Sequence, residues 1–435
     1  MPVIETPYWW ETDHLNFTSD FLQNNTSKTS YDLAIVGGGF TGLSAAITAS
    51  KIGAQVIVID KGIPGQGAST RNGGMLGAPH KISFIETVKT YGEELARELL
   101  GEGIDGYNFT KDLLTNEYVD SEFSNYGRLR LAWNSQDFIQ LKRDVEEAKR
   151  IANYDVTIVD KKDLHNHIGS EKYFGAALFK DHGGLNPMKF HNSLMQKAIR
   201  LGVDFLVNTK VDKIYLKGSQ KLLVMNGNEV LTKKVLLATN GYTTSNFNYI
   251  KNRIFPVPSF IISTEPLTQK IIEILAPGKH MMVETRSRAC YFRISPDGTR
   301  LLFGGRAALH MINNKKASGI LRNLMVDVFP VLQGVKITHC WSGWTGFTFS
   351  KLPHVGVYND INFALGYSGN GVALSPYLGH KAALQSLDQE KGKTAFSKTK
   401  FERRFYYFGR PWFLKFASYQ YRIKDYFENK KRTIV

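Results

Sequence analysis

A glycine-rich turn between a strand and a helix is the feature that most restricts how this chain can fold. Residues Tyr31–Val36 (YDLAIV) are mostly apolar and predict a buried strand, and Gly37–Gly42 (GGGFTG) fits the pattern G-x-G-x-x-G. Thr41–Ile52 has the small residues of a helix that packs closely on a sheet. Gln55–Asp60 (QVIVID) is rich in β-branched residues and predicts a second strand. Two parallel strands joined by a right-handed crossover predict a Rossmann-like α/β unit.

The residues of this turn predict a dinucleotide site. Gly37 permits the tight turn, Gly39 has no side chain to block a pyrophosphate, and Gly42 lets the helix lie close to the strand. The N–H groups at the helix N-terminus attract phosphate. Asp60 lies 18 residues after Gly42, where its carboxylate would accept hydrogen bonds from ribose hydroxyls. An acidic residue here disfavours the 2′-phosphate of NADP, but the turn alone does not decide between NAD and FAD.

Three further segments of small residues favour a long cofactor. They are Gly65–Gly74, Leu236–Gly241 and Gly366–Val372. Each segment by itself could be an ordinary loop, but three of them suit an extended dinucleotide. The last segment opens a predicted helix, whose N-terminus could stabilise the negative charge of a reduced flavin.

Composition limits the class of protein. A chain of 435 residues is too long for one simple core and predicts two joined domains. Cys290 and Cys340 cannot form a disulfide framework, so we expect a cytoplasmic protein. Met1–Asn25 lacks the pattern of a secretory signal, and Leu33–Ser50 predicts strand, turn and helix rather than a membrane span.

The charge of the chain allows several interpretations. The net charge is 55 − 39 = +16, which is typical of proteins that meet nucleic acid, an anionic membrane or an acidic substrate, and also of a basic surface that serves solubility. The basic residues are spread along the sequence, which favours the solubility interpretation and argues against a nucleic-acid track.

Several segments together resemble the D-amino-acid oxidase superfamily of FAD-dependent amine oxidoreductases, and in particular its gamma-glutamylputrescine oxidoreductase-like subgroup. These segments are YDLAIVGGGFTGLSAA, GASTRNGGM, LLATNGYT, ISTEPL, YFRISPDGTRLLFGGR, LPHVG and GYSGNGVALS. The resemblance implies a Rossmann-like FAD-binding domain with a parallel sheet, assembled from residues 31–100, 150–245 and 340–390. It also implies an antiparallel-sheet substrate domain from residues 101–149 and 246–339, so the fold is α/β, or α+β overall. Residues 391–435 would form an aromatic, basic and helical tail.

The resemblance implies a set of residues that hold FAD. On the pyrophosphate and adenosine side these are Gly37, Gly39, Phe40, Thr41, Gly42, Asp60, Lys61, Val211, Ala238, Thr239, Asn240 and Gly241. Along the flavin they are Ala68, Ser69, Thr70, Arg71, Asn72, Gly73, Gly74 and Met75, and at its pyrimidine end Gly369, Asn370, Gly371 and Val372.

Some positions depart from the family pattern. Asn72 stands near the histidine that tethers the flavin in some relatives, and Cys340 is displaced toward the N-terminus from the tethering cysteine of others, so we expect non-covalent FAD. Ala373 replaces the carboxylate-binding lysine of sarcosine-oxidising relatives, which argues against a simple N-methyl amino acid. Ser350 and Asn370 occupy positions often held by Asp and His.

The expected reaction is oxidation of a small primary or secondary amine. Hydride passes to flavin N5 from a carbon about 3–3.5 Å away, and the imine then hydrolyses to an aldehyde or oxo acid. The amine must first be neutral, which at pH 7 costs about 4–5 kcal/mol for a pKa near 10.4. Aromatic walls and nearby positive charge lower this cost.

Candidate catalytic residues follow from that requirement. They are Tyr291, Arg293, Trp344, Tyr367 and Asn370, with Phe347 as a further aromatic wall and His80 as a possible proton shuttle. Each aromatic could instead be core packing, Arg293 could be an exposed salt-bridge partner or bind a distal anion on the substrate, and His80 could be structural. The histidines and cysteines lack the paired spacing of a metal site.

Two other functions remain open at this point. The chain could be a flavin domain that modifies tRNA, or a flavin subunit of a larger dehydrogenase in which Phe405–Phe427 docks on a partner. The tail could equally pack on its own domain, and the chain could form a homo-oligomer. Oxygen or a quinone or other electron carrier would reoxidise the flavin.

Overall fold

A computed structural model describes residues 3–13, 28–77, 84–116, 119–152, 155–225, 227–286, 289–420 and 423, so His80 lies outside the described residues. The strands are β1 Tyr31–Val36, β2 Val56–Ile59, β3 Met75–Leu76, β4 Arg128–Leu131, β5 Val156–Asp160, β6 Gly175–Phe179, β7 Gly183–Gly184, β8 Asp204–Leu206, β9 Val211–Lys217, β10 Gln220–Met225, β11 Asn228–Leu237, β12 Ile254–Thr264, β13 Met281–Glu284, β14 Tyr291–Ile294, β15 Leu301–Gly305, β16 Ile337–Thr348, β17 His354–Tyr358 and β18 Ile361–Leu365. The helices are α1 Trp9–Thr12, α2 Phe40–Lys51, α3 Phe84–Tyr91, α4 Glu93–Asn116, α5 Ser135–Ala152, α6 Pro187–Arg200, α7 Asn248–Lys251, α8 Gln269–Leu275, α9 Asn314–Val328 and α10 Gly371–Ser386.

The first sheet is built around the predicted strand–turn–helix–strand unit. Its order is β17-β18-β11-β1-β2-β8. In addition, β10 pairs with β11, and β9 pairs with β10. The strands from β18 to β8 are parallel, as predicted for a Rossmann-like unit. Because α2 and α10 cover one face, Leu33 and Ile35 of β1 are fully buried there. The carboxyl end of β1 therefore delivers the glycine turn to the edge of the sheet, where ligands bind in such folds.

The second sheet has the order β16-β12-β15-β14-β13-β4-β6-β5. Its pairs are antiparallel, as predicted, except that β13 and β4 run parallel. The long pairing of β12 with β16 places residues 257–259 opposite residues 343–345. One face of this sheet carries an apolar core that includes Phe292 and Phe303. The fold is thus α/β with two large sheets, in agreement with the sequence.

Sheet membership argues for domain boundaries other than those the resemblance implies. Strands β5, β6 and residues 340–348 of β16 were expected in the FAD-binding domain, but they pair within the second sheet. Helix α4 was expected mostly in the substrate domain, but it packs on α10, and Thr110 donates a hydrogen bond to the Ala373 carbonyl at 2.7 Å. We therefore propose that the substrate domain includes β5, β6 and most of β16.

One helical prediction needs correction, that for the tail. Elsewhere, Gly92 takes a φ of +82° and separates α3 from α4. In the tail, residues 398–413 contain no helix, because Gly409 has a φ of +78° and Pro411 lacks an N–H group. Helix resumes at residues 414–420. Within the described residues, no helix combines the length and apolar character needed to span a bilayer.

Candidate active site

The glycine turn has the backbone geometry that its sequence predicts. Gly37 has a φ of +109°, and a Cβ on Gly37 would lie 2.9 Å from the Ala238 carbonyl oxygen. A Cβ on Gly42 would lie only 1.9 Å from the Gly37 carbonyl oxygen. The Asp60 carboxylate accepts hydrogen bonds from the backbone N–H groups of Gly38 at 2.7 Å and Gly62 at 3.0 Å. Asp60 therefore fixes the shape of the turn, in addition to the ribose contact expected of it.

A buried histidine that the sequence did not single out supports this turn from behind. The Nε2 atom of His191, on α6, lies 2.8 Å from the Gly38 carbonyl oxygen, and the ring fills the space beside Gly65. Burial lowers the pKa of His191 to about 4, so the ring is neutral at pH 7 and donates from Nε2. No sequence signal identifies it, because it lies 153 residues from its partner.

This burial predicts a stability loss in acid. The pKa of His191 is about 4 when folded and near 6.5 when exposed, so protons favour the unfolded chain between these values. Stability is therefore complete above about pH 6.5 and falls toward pH 4, and the loss between pH 7 and pH 4.5 is roughly 2 kcal/mol for this residue. We expect His191→Gln, which keeps a donor but does not titrate, to lose about that much less between pH 7 and pH 4.5 in urea unfolding. An equal loss of unfolding free energy in the parent protein and in His191→Gln would contradict this role. Buried His354 is present in both proteins, so its contribution to the acid loss cancels in the comparison.

A continuous groove of about 310 Å³ runs along the carboxyl edge of the first sheet. Most residues expected to bind FAD line it: Gly37, Gly39, Phe40, Thr41, Asp60, Lys61, Ala68, Ser69, Asn72, Val211, Ala238, Thr239, Asn240, Gly369, Gly371 and Val372. The groove passes from the Asp60 end, beside the turn, to the N-terminus of α10. Because a Cβ at Gly39 would come within 2.7 Å of the Ser69 hydroxyl, the floor of the groove admits only glycine there without a shift. This elongated, small-residue cradle fits a dinucleotide with a flavin at the α10 end.

A second cavity of about 480 Å³ continues from that end. Ala68, Asn72, Thr345, Gly369 and Val372 line both spaces. The expected residues Arg71, Gly73, Met75, Tyr291, Trp344, Phe347 and Asn370 line the second cavity. Gly42, Thr70, Gly74 and Gly241 line neither space and support the backbone instead. The second sheet, through β12 and β16, forms the roof over the expected position of the flavin ring.

Three tryptophans, which we call the tryptophan clamp, hold residues 68–75. These residues form the flavin-side segment, which separates the groove from the second cavity. The indole N–H groups of Trp9, Trp10 and Trp341 donate to the Asn72 carbonyl at 2.8 Å, the Thr70 hydroxyl at 2.9 Å and the Arg71 carbonyl at 3.0 Å. The Asn72 side chain also bridges the Ser69 carbonyl and the Gly74 N–H. Trp9 and Trp10, near the N-terminus, thus pack on the flavin-side segment.

We expect Trp9→Phe to weaken FAD binding about fivefold, because it removes one buried hydrogen bond worth about 1 kcal/mol and keeps an aromatic ring. Titration of the apoprotein with FAD, followed by fluorescence, measures the Kd. Trp412→Phe is the matched control, since its indole also donates to a backbone carbonyl, that of Tyr406, but far from this segment. An unchanged Kd in Trp9→Phe would show that the clamp does not position the segment.

Comparison with known proteins decides the family. The family model described as DAO, FAD dependent oxidoreductase, matches residues 32–384. The chain belongs to this family. The DAO-family chain is 30% identical to the probable oxidoreductase OrdL of Haemophilus influenzae over 85% of this chain and 86% of that protein. It is 28% identical to the gamma-glutamylputrescine oxidoreductase of Escherichia coli, over 81% and 82% of the two chains.

A solved structure with the same fold is that of glycine oxidase from Geobacillus kaustophilus. Its TM-score is 0.71 at 21% identity, over 87% of this chain and 100% of that one. The resemblance that the sequence motifs indicated and the assignment of FAD as cofactor are therefore confirmed, and this DAO-family chain is an FAD-dependent oxidoreductase.

Two of the expected catalytic residues lie elsewhere in the DAO-family site. The Arg293 guanidinium is buried away from the second cavity and donates to the carbonyls of Gly74 and Leu185, each at 2.9 Å, and of Ile294 at 3.1 Å. Desolvation lowers the pKa of Arg293 to about 10. Arg293 is thus neither an exposed ion-pair partner nor placed to bind a substrate; it holds the end of the flavin-side segment.

Tyr367 lines the dinucleotide groove rather than the second cavity. Its hydroxyl lies 2.8 Å from the Thr41 hydroxyl, so it connects the start of α2 to the loop before α10. Of the five expected catalytic residues, Tyr291, Trp344 and Asn370 remain at the second cavity.

The side chains around the second cavity carry a surplus of positive charge. Five arginines line it: Arg71, Arg128, Arg130, Arg286 and Arg306. Among the described lining residues, Glu284 is the only carboxylate, and Arg286 already holds it with contacts of 2.6 and 3.0 Å. Sequence reasoning named Arg71 only as a residue along the flavin and missed the other four arginines, because they come from separate strands and loops.

The cysteines do not reach either space. Cys340 is fully buried in the core under the second sheet, among residues such as Ile262, and burial raises the pKa of its thiol to about 12. Cys290 lies in the same core. Neither cysteine lines the groove or the second cavity, which supports non-covalent FAD as a proposal. No cluster of metal-binding side chains occurs in the part of the chain that the structure describes.

Proposed function

We propose that this enzyme oxidises a small primary or secondary amine that carries a distal anionic group. The product is an imine, which water hydrolyses to an aldehyde or oxo acid. The observation that carries the proposal is the second cavity, whose lining combines an aromatic wall with five arginines beside the flavin-side segment. The names of two relatives, gamma-glutamylputrescine oxidoreductase and glycine oxidase, support amine chemistry.

Bound FAD would supply the acceptor for the hydride, that is, for the two electrons of the substrate C–H bond next to the nitrogen. The cavity residues prepare the substrate for that step. Tyr291, Trp344 and Phe347 exclude water from the amine, and the guanidinium groups disfavour a second positive charge. Both effects lower the pKa of the arriving ammonium group and increase the neutral form that carries a reactive lone pair.

The cavity offers no evident general base. Tyr291 lies 2.9 Å from the Ser259 hydroxyl, and burial raises its pKa to about 12, so its phenol stays protonated. The described lining residues include no histidine, and Arg286 holds Glu284. We infer that the ammonium proton leaves to water as the substrate enters, and that Tyr291 orients the amine through its hydroxyl.

Anaerobic reduction of the FAD-loaded protein tests the proposal. Paired substrates should be compared, such as 4-aminobutyrate with n-butylamine, and a gamma-glutamyl amine with its neutral amide analogue. Aminosulfonates and aminophosphonates extend the series. We expect the anionic member of each pair to bleach the flavin at lower concentration. A preference for neutral amines would reject the anionic group, and an unbleached flavin with every amine would reject the reaction.

The electron acceptor stays a prediction from the sequence. Oxygen consumption with peroxide release would identify an oxidase, whereas reduction of a quinone analogue or dye without peroxide would identify a dehydrogenase. The cytoplasmic location and a homo-oligomer or partner subunit likewise stay predictions.

A further inference from the structure

We propose that the C-terminal tail docks the enzyme on an anionic membrane surface. Five aromatic side chains of the tail point outward, and we call them the outer face: Phe405, Phe408, Trp412, Phe416 and Tyr419. Their exposed fractions are 88%, 68%, 55%, 66% and 67%. Large aromatic side chains seldom cluster in water without a binding partner.

The outer face is held in place by an inner face that packs on the second sheet. Tyr407 is fully buried and donates to the Ile254 carbonyl at 2.8 Å. Leu414 packs against Val257, and the Phe413 ring lies 5.5 Å from that of Phe255. The tail thus packs on its own domain, as one of the two sequence interpretations held, and still leaves one side exposed. Fixed aromatics lose little conformational freedom when they bind a surface.

The charges beside the outer face are mostly positive. Arg403, Arg404, Arg410 and Lys415 alternate with the aromatics, and the Arg403 guanidinium lies over the Phe408 ring at 5.6 Å. Residues 401–420 contain four Lys and Arg against one Glu, a net charge of 4 − 1 = +3. The described part of the tail is therefore basic.

The charge and the residue types of the outer face together favour a lipid bilayer as its binding partner. Aromatic rings prefer the interfacial layer of a bilayer, and lysine and arginine are attracted to anionic headgroups. The outer face has this composition, because its aromatic rings are bordered by Arg403, Arg410 and Lys415. Because no described helix is able to cross a bilayer, the mode would be peripheral attachment.

Docking would take place behind the wall of the second cavity. The Phe413 ring contacts Phe255, and the Phe255 ring stacks on that of Phe347 with 6.0 Å between the ring centres. Phe347 in turn lines the second cavity. The membrane proposal rests on the tail alone and is independent of the substrate proposal.

Sedimentation of the full-length, FAD-loaded protein with vesicles tests the docking. We expect binding to vesicles of phosphatidylcholine mixed with phosphatidylglycerol, little binding to phosphatidylcholine alone, and release as added salt screens the charges. The triple variant Phe408→Ser/Trp412→Ser/Phe416→Ser should bind anionic vesicles at least about tenfold more weakly and retain its FAD spectrum. Leu216→Ser is the matched control, because Leu216 is 78% exposed on β9 and lies outside the tail.

Three results would overturn the proposal. The first is an absence of binding to anionic vesicles at low salt. The second is equal binding by the triple variant and the parent protein. The third is a dimer that does not bind vesicles and that the triple variant converts to a monomer, since the outer face would then be the interface between two copies of the chain.

Discussion

Gly42→Ala is expected to yield a folded protein that no longer retains FAD. The added Cβ would lie 1.9 Å from the Gly37 carbonyl oxygen, and backbone atoms rather than a flexible side chain must move to make room. Moving α2 away from β1 displaces the N–H groups that face the pyrophosphate. Overpacking of this kind typically costs about 1–3 kcal/mol, and we expect most of it in cofactor binding, so that the Kd for FAD rises about 100-fold.

The measurement is the flavin content of the purified protein, followed by titration of the apoprotein with FAD. Gly319→Ala is the matched control, because a Cβ at that position of α9 would meet open space. Alanine is the better helix former, so the control should keep its flavin and its stability. A yellow Gly42→Ala protein with unchanged affinity would mean that the turn does not hold the diphosphate.

Arg306→Gln is expected to raise the KM for an amine with a distal anion and to leave kcat within a few-fold. Arg306 lies in the wall of the second cavity, with its guanidinium 5.5 Å from the centre of the Phe347 ring. Hydrogen bonds to charged groups contribute about 1.5–3 kcal/mol, which corresponds to about 10- to 100-fold in KM. Glutamine keeps polarity and approximate size and removes the charge.

The substrate pair distinguishes recognition from general damage. The KM for n-butylamine should not rise in Arg306→Gln, because that amine has no anion to bind. Arg200→Gln, on the exposed end of α6, controls for the loss of one positive charge from the protein. Equal loss with both substrates would show that Arg306 supports the fold of the site and does not select the anion.

The sequence predicts the local parts of this structure well. Residues 31–60 specify strand, turn, helix and strand through short-range signals, and the structure has those elements at nearly the expected bounds. The turn Gly366–Val372 was recognised in the same way, because its glycines immediately precede the helix that they open.

The sequence does not predict contacts that depend on how distant elements meet. Tyr291 and Arg293 are two residues apart on β14, so a common role was a reasonable expectation. The carbonyls of Gly74 and Leu185 bind the Arg293 guanidinium, and those partners are 219 and 108 residues away. Arg128 and Arg130 of the second cavity were missed for the same reason, since β4 reaches the site through its pairing with the distant strands β13 and β6.

The tryptophan clamp also bears on the order of events during synthesis. Trp9 and Trp341 donate hydrogen bonds to adjacent carbonyls, although 332 residues separate the two tryptophans. The groove also needs residues from the start of α10, such as Gly371 and Val372. The ribosome therefore synthesises the glycine turn early and the α10 residues that line the same groove late. We therefore expect the nascent chain to remain empty until translation has passed α10, so that flavin binds only after both sheets have been synthesised.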